Sequence, residues 1–176
     1  MAEYSDDQGF PIKPQKIVWD LRQALKPDDI VISDVGAHKM WMARMYQAEQ
    51  PNTCIISNGF ASMGISVPGA IAAKQAFPNR TVVAVTGDAG FLMNCQEIET
   101  AMRVGTPMII LIWNDSKYGL IEWKQEAHFG RASHIDFNNL EFNIKYYNTE
   151  KDLKNFLDQT NKKGKIFIGP LNSKDT

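Results

Sequence analysis

Asp88, set in Gly87-Asp88-Ala89-Gly90, and Asp115, closing Trp113-Asn114-Asp115, are the residues whose types and spacing could do chemistry. Small residues after a strand let the backbone come close to a phosphate, and free N–H groups there face an anion. An aspartate at such a place repels phosphate unless a cation stands between them. Mg²⁺ fills that role, binding one or two carboxylates together with phosphate oxygens. Asp115 lies 27 residues beyond Asp88, the length of one helix plus one strand, so it can supply the second carboxylate. Taken singly, a strand-end aspartate is more often a helix cap or turn residue. The pair outweighs that plainer reading.

The elements that must position this pair follow from hydrophobic patterning. Residues from Gln15 to Leu25 carry Ile17, Val18, Leu21 and Leu25 at helical spacing, and Pro27-Asp28-Asp29 ends them. Ile30 to Asp34, Cys54 to Ser57, Thr81 to Thr86, Met108 to Trp113 and Ile166 to Ile168 are apolar runs that read as strands. Between them, His38 to Gln47, Ser62 to Gln75, Asn94 to Val104 and Lys151 to Gln159 read as helices. Strands without in/out alternation, separated by helices, imply an α/β fold whose parallel sheet is flanked by helices on both faces. Such sheets bind ligands at the carboxyl ends of their strands. Asp34 to Gly36, Asn58-Gly59, Gly87 to Gly90 and Asn114-Asp115 all fall there. The expected organisation is a tail or linker over 1–14, one domain over 15–170 and a short tail over 171–176.

Composition narrows the function classes. The 176 residues carry a formal net charge of −1, with 44% hydrophobic and 22% charged residues. Those values suit a soluble globular domain and give no general attraction to nucleic acid or to an anionic membrane. No apolar run approaches the roughly 20 residues of a membrane span. The polar, acidic start lacks the features of a secretion signal, so the cytoplasm is the expected location. Cys54 and Cys95 lack metal-ligand spacing and read as small core hydrophobes in a reducing compartment. Glu97 and Glu99 read as polar helix residues, and His128 and His134 as solvated. Trp41, Trp113 and Trp123 read first as packing residues.

Gly87-Asp88-Ala89-Gly90 through Trp113-Asn114-Asp115 resembles the thiamine-diphosphate motif, Gly-Asp-Gly followed one helix and one strand later by Asn-Asn. The resemblance widens through Asp34-Val35-Gly36-Ala37-His38-Lys39-Met40-Trp41, Ile56-Ser57-Asn58-Gly59, Ser62-Met63-Gly64, Gln96-Glu97-Ile98-Glu99-Thr100-Ala101 and Ser116-Lys117-Tyr118-Gly119. It points to the cofactor-binding C-terminal domain of acetolactate synthases, particularly the catabolic, flavin-independent type, and covers residues 12–142.

The resemblance implies that Asp88, Asp115 and the Lys117 backbone carbonyl hold Mg²⁺. It implies that Gly36, Ala37 and His38, with Gly87, Ala89 and Gly90, border the diphosphate. Ala61, Ser62 and Met63 would border the aminopyrimidine, with the Met63 side chain wedged beneath the cofactor to bend it. Tyr118, Gly119, Leu120, Ile121 and Trp123 would border the phosphate and substrate space. The implied reaction is decarboxylation of pyruvate and addition of the two-carbon unit to a second pyruvate. The implied partner is the enzyme's N-terminal pyrimidine-binding domain on another subunit of a homo-oligomer, which would carry the glutamate that protonates the pyrimidine. The isolated chain is then expected to turn over no pyruvate and to bind the cofactor weakly, with Met40, Trp41, Met42 and Met45 as candidates for an exposed interface.

Three departures stand out. Ala89 replaces the motif's second Gly, at a cost on the order of 1 kcal/mol if its φ is positive. Asp115 replaces the common Asn and adds an anion. After Phe142 the chain runs directly into Asn143-Ile144-Lys145-Tyr146, where the family usually continues into a helix. Another thiamine-diphosphate decarboxylase or oxidase would share the metal pair, as would a non-catalytic binding remnant. A dinucleotide-binding domain would need Gly-x-Gly-x-x-Gly after a strand, and the sequence has none.

Overall fold

A computed structural model of the chain describes residues 2–7, 9–136 and the strand at 165–170. A short 3₁₀ helix, Ala2–Tyr4, precedes helix α1, Pro14–Ala24. Pro14 suits the first helical turn, where its missing N–H has no partner to lose. Strand β1, Ile30–Ser33, leads to α2, Ala37–Met45, then β2, Cys54–Ile56, and α3, Ser66–Ala76. Strand β3, Val82–Gly87, runs straight into α4, Asp88–Asn94, followed by α5, Glu97–Arg103. Strand β4, Ile109–Asn114, precedes α6, Gly119–Phe129, and β5 is Lys165–Pro170.

All strand pairs are parallel, in the order β2-β1-β3-β4-β5. Alternate residues of β1, β3 and β4 feed two separate cores. Val31, Val83, Val85, Ile109, Leu111 and Trp113 join Ile17, Val18 and Leu21 of α1 and Met42 of α2. Ile30, Ile32, Val82, Ala84, Ile110 and Ile112 join Val67 and Ile71 of α3, Phe91 of α4 and Ala101 of α5. Burial on both faces is why these three strands read as unbroken apolar runs. Ile12 also packs into the first core, ahead of α1.

Three local readings change. The helix expected from Ser62 begins only at Ser66, because Ala61 and Gly64 have φ of 51° and 85°, outside the helical region. The helix expected over Asn94 to Val104 is divided: α4 starts six residues earlier, at Asp88, and a turn at Cys95-Gln96 precedes α5. There Ile98 N–H donates to the Cys95 carbonyl and Glu99 N–H to that of Gln96, bonds of the tighter 3₁₀ kind. Helix α6 has no counterpart in the sequence reading. Gly119 is its one buried residue, so its pattern carries little amphipathic signal, and it ends at Gly130 in the left-handed conformation. The helix expected over Lys151 to Gln159, the junction at Phe142-Asn143 and the 171–176 tail lie outside the described residues. Among the described residues no helix is long and apolar enough to cross a membrane.

Candidate cofactor and metal site

In this strand order the connections leave β1 and β3 toward opposite faces of the sheet, which opens a crevice at their carboxyl ends. A cavity of about 330 Å³ occupies that place. Strand register brings its acids together. Ser33 pairs with Val85 and Gly87 with Trp113, so β1, β3 and β4 end almost level. Asp88 follows one strand and Asn114-Asp115 ends the next, and both aspartates line the same cavity.

Asp88 is 8% exposed. Its Oδ1 accepts the Ala89 N–H at 2.8 Å and its Oδ2 the Ser116 N–H at 2.7 Å. Burial raises its pKa, against the effect of those amides. Burial, and next the Asp88 charge, push Asp115 up to about 6. Its Oδ1 accepts the Lys117 N–H at 3.4 Å. Two carboxylates in one half-dry cavity, the charge of Asp88 raising Asp115, are a hard-oxygen donor pair suited to a small divalent cation. Among the described residues no group of three or more His, Cys, Asp and Glu side chains could hold a metal, so any cation here relies on this pair and on non-acidic ligands.

The loop after β4 is held at both ends. Ser116 takes φ of 64°, and its N–H reaches both Asp88 and the Asn114 side chain. Tyr118 N–H donates to the Ile135 carbonyl at 2.9 Å, and Lys117 bridges Asp136. The Lys117 ammonium is drawn to Glu122 of α6 at 2.8 Å, and that bond raises its pKa. Lys117 lines the cavity while its charge is engaged on α6. Gly119 is needed for space, since a Cβ there would stand 2.9 Å from Asp115 Oδ2.

The residues expected to border the cofactor separate into those the fold gathers and those it leaves aside. Gly36, Ala37, His38, Ala61, Met63, Gly87, Ala89, Gly90, Tyr118, Gly119, Leu120 and Ile121 all line the cavity with Asp88, Asp115 and Lys117. Ser62 is exposed and off its wall. Trp123 packs edge-on against Trp41 at 5.5 Å, beside a second groove with Met40 and Met45. Met42 belongs to the core at 1% exposure, so it offers no surface, because its face of α2 turns toward the sheet. Ala89 lies in the first turn of α4 and is not among the residues of positive φ, so its Cβ carries no backbone cost. Its N–H, expected to face a phosphate, donates to Asp88 instead.

Val35, Lys39, Trp113 and Lys124 line the cavity without having been singled out as contacts. Lys124 stands four residues after Leu120 on α6, so a helix reading of that stretch would have put both on one face. Two buried polar atoms on this wall, His38 Nε2 and Trp113 Nε1, have no hydrogen-bond partner among the described residues. They offer positions where a polar ligand could be bound.

Burial drives the His38 pKa down to about 4, so the ring is neutral at pH 7. Between pH 6.5 and 4 the unfolded chain binds a proton at this residue that the folded chain refuses. The contribution is therefore present above 6.5 and lost as pH falls through that window. Between pH 7 and 4.5 the wild type is expected to lose about 2–3 kcal/mol more stability than His38→Gln. Urea denaturation of both chains at the two pH values checks this, and equal losses would remove the burial argument.

Residues 34–159 match the family described as "Thiamine pyrophosphate enzyme, C-terminal TPP binding domain", and the chain belongs to that family. Its relatives include an acetolactate synthase of Bacillus subtilis (strain 168), 37% identical over 82% of this chain and 25% of that protein. An acetolactate synthase large subunit of Buchnera aphidicola subsp. Schlechtendalia chinensis is 38% identical over 80% of this chain and 25% of its own length. The chain thus spans about a quarter of the length of these relatives. Among solved structures, benzoylformate decarboxylase from Polynucleobacter necessarius superposes with a TM-score of 0.81. That likeness covers 96% of this chain and 35% of the other at 18% identity, and it speaks for the fold.

Proposed function

We propose that this chain is the cofactor-binding domain of an acetolactate synthase, holding thiamine diphosphate through Mg²⁺ for decarboxylation of pyruvate and ligation to a second pyruvate. The observation that carries the proposal is the Asp88–Asp115 pair, brought to one cavity at the sheet's switch point and electrostatically coupled there. Asp88, the Asp115 side chain and the Lys117 carbonyl would hold the metal. The orphaned His38 Nε2 and Trp113 Nε1 support a polar ligand on the same wall. Ala61 and Met63 would border the aminopyrimidine, and Leu120 and Ile121 of α6 would supply apolar wall beside the substrate. When bound, thiamine diphosphate supplies the electron sink for the decarboxylation.

The rest of the reading extends beyond this chain. Its substrate would be pyruvate, its site would be completed by an N-terminal pyrimidine-binding domain on a partner subunit of a homo-oligomer, and it would work in the cytoplasm. The chain alone is then inactive toward pyruvate.

Isothermal titration with thiamine diphosphate tests the binding step directly. Heat is expected with Mg²⁺ present and none with excess EDTA. Binding that ignores the metal would overturn the metal assignment, and no binding at millimolar cofactor with Mg²⁺ would overturn the reading as a whole.

A further inference from the structure

The Asp34 carboxylate is fully buried, is not on the cavity wall, and carries the densest set of hydrogen bonds near the site. Its Oδ1 accepts the Val35 N–H at 2.6 Å and the Gly64 N–H at 2.8 Å. Its Oδ2 accepts the Ser66 N–H at 3.1 Å and the Ser66 hydroxyl at 2.8 Å, and lies 3.4 Å from the Thr86 hydroxyl, which also reaches the Gly87 carbonyl at 3.0 Å. One side chain at the end of β1 therefore ties down the loop before α3, the first residue of α3 and the end of β3. That loop is the one bearing Ala61 and Met63.

Gly64 is gripped from the other side as well. The Asn94 amide at the end of α4 donates to the Gly64 carbonyl at 2.8 Å. Gly64 has φ of 85°, and a Cβ on it would stand 2.6 Å from Asn94 Nδ2, so only glycine fits between the two. The acceptor comes from the strand that leads into Gly36 and His38. The donor comes from the helix that starts with Asp88. Both anchors thus belong to the elements that form the metal and diphosphate side of the cavity.

We propose that Asp34 and Asn94 are positioning residues that clamp Gly64, and through it fix the Ala61–Met63 segment relative to the metal side of the cavity. The clamp rests on the reading of the site given above, in which that segment meets the aminopyrimidine. It sets the distance between the two ends of the cofactor without touching either.

Asp34→Asn is close to isosteric and keeps the packing against Gly90, whose Cβ, if it had one, would lie 3.4 Å from Asp34 Cγ. It replaces one acceptor oxygen with an NH₂ group, which must then face a backbone N–H of Gly64 or Ser66. Asn94→Ala removes one half-buried bond and leaves the carboxylate network whole, so it carries the test if the first variant folds poorly. The chain and both variants are titrated with Mg²⁺–thiamine diphosphate and, separately, with Mg²⁺–pyrophosphate, which lacks the thiamine end. Each variant is expected to lose about tenfold in affinity for the cofactor while holding pyrophosphate affinity within about twofold. A merely structural role would weaken both ligands alike, and that result, or no loss for either, overturns the clamp. A wild-type chain that binds pyrophosphate but not the cofactor also overturns it; one that binds neither overturns the function reading and the clamp with it.

Discussion

Asp88→Ala is expected to abolish Mg²⁺-dependent binding of thiamine diphosphate while leaving the fold in place. Asp88 is the more buried of the two acids and the one whose position the backbone fixes most tightly, through the amides of Ala89 and Ser116. Removing it would take away a proposed metal ligand. It also frees the Ser116 loop, which carries Lys117 and its carbonyl. The loss should therefore exceed the roughly 10- to 100-fold that outer-shell partners of a metal carry. Stability changes less. Two amides lose a partner, at about 1–3 kcal/mol each if they stay dry, while a carboxylate destabilised by burial disappears. Calorimetric titration together with circular dichroism separates the two effects. Affinity within twofold of wild type in a folded variant would sink the metal assignment.

The second large effect is a gain. Asp115→Asn is expected to stabilise the metal-free chain by about 1–3 kcal/mol at pH 7 to 8. Burial and the Asp88 charge hold the Asp115 pKa at about 6 in the folded chain, against an ordinary value of 3.8. A raised carboxylate pKa means that the folded state keeps a proton between pH 3.8 and 6 that the unfolded state has released. Stability is therefore lost as pH rises through that window, and the full penalty stands above 6. Asparagine escapes it, so the gain should shrink as pH falls and vanish below about 4. The lower end of the range allows for solvent screening of a group that is not fully dry.

With Mg²⁺ and cofactor present the ranking should narrow or invert, because ligands that bind the folded state stabilise it by mass action and the second anion strengthens metal binding. Urea denaturation of both chains in EDTA, and again with Mg²⁺ and thiamine diphosphate, checks the two halves. A variant no more stable than wild type at pH 7.5 in EDTA would show that the two acids do not strain the folded state.

Much of the scaffold was legible in the sequence. Val82 to Val85 and Ile109 to Ile112 each send alternate side chains into two different cores, so no polar residue interrupts them and the runs announce a covered parallel sheet. What failed were boundaries decided from a distance. The start of α3 is set by Asp34, whose carboxylate takes the Gly64 and Ser66 amides from 30 and 32 residues away. The division between α4 and α5 falls just after Asn94, whose side chain is engaged with Gly64. Helix α6 was missed because it rests mainly on local hydrogen bonds and buries little apolar surface, and Lys124 was missed with it.

By itself the sequence determined the strand runs, the glycines and acids at their carboxyl ends, and the family to which these belong. Local order of residue types is enough for that, because burial, turn chemistry and phosphate approach each demand particular side chains at a given point. Only the tertiary structure decided that Asp88 and Asp115 share one cavity where the charge of the first raises the second, that His38 is buried and neutral, that Ser62 lies off the cavity wall and that Met42 is buried in the core. Those outcomes depend on which strands lie side by side and in what register, and the level ends of β3 and β4 arise from hydrogen bonds between segments far apart in the chain.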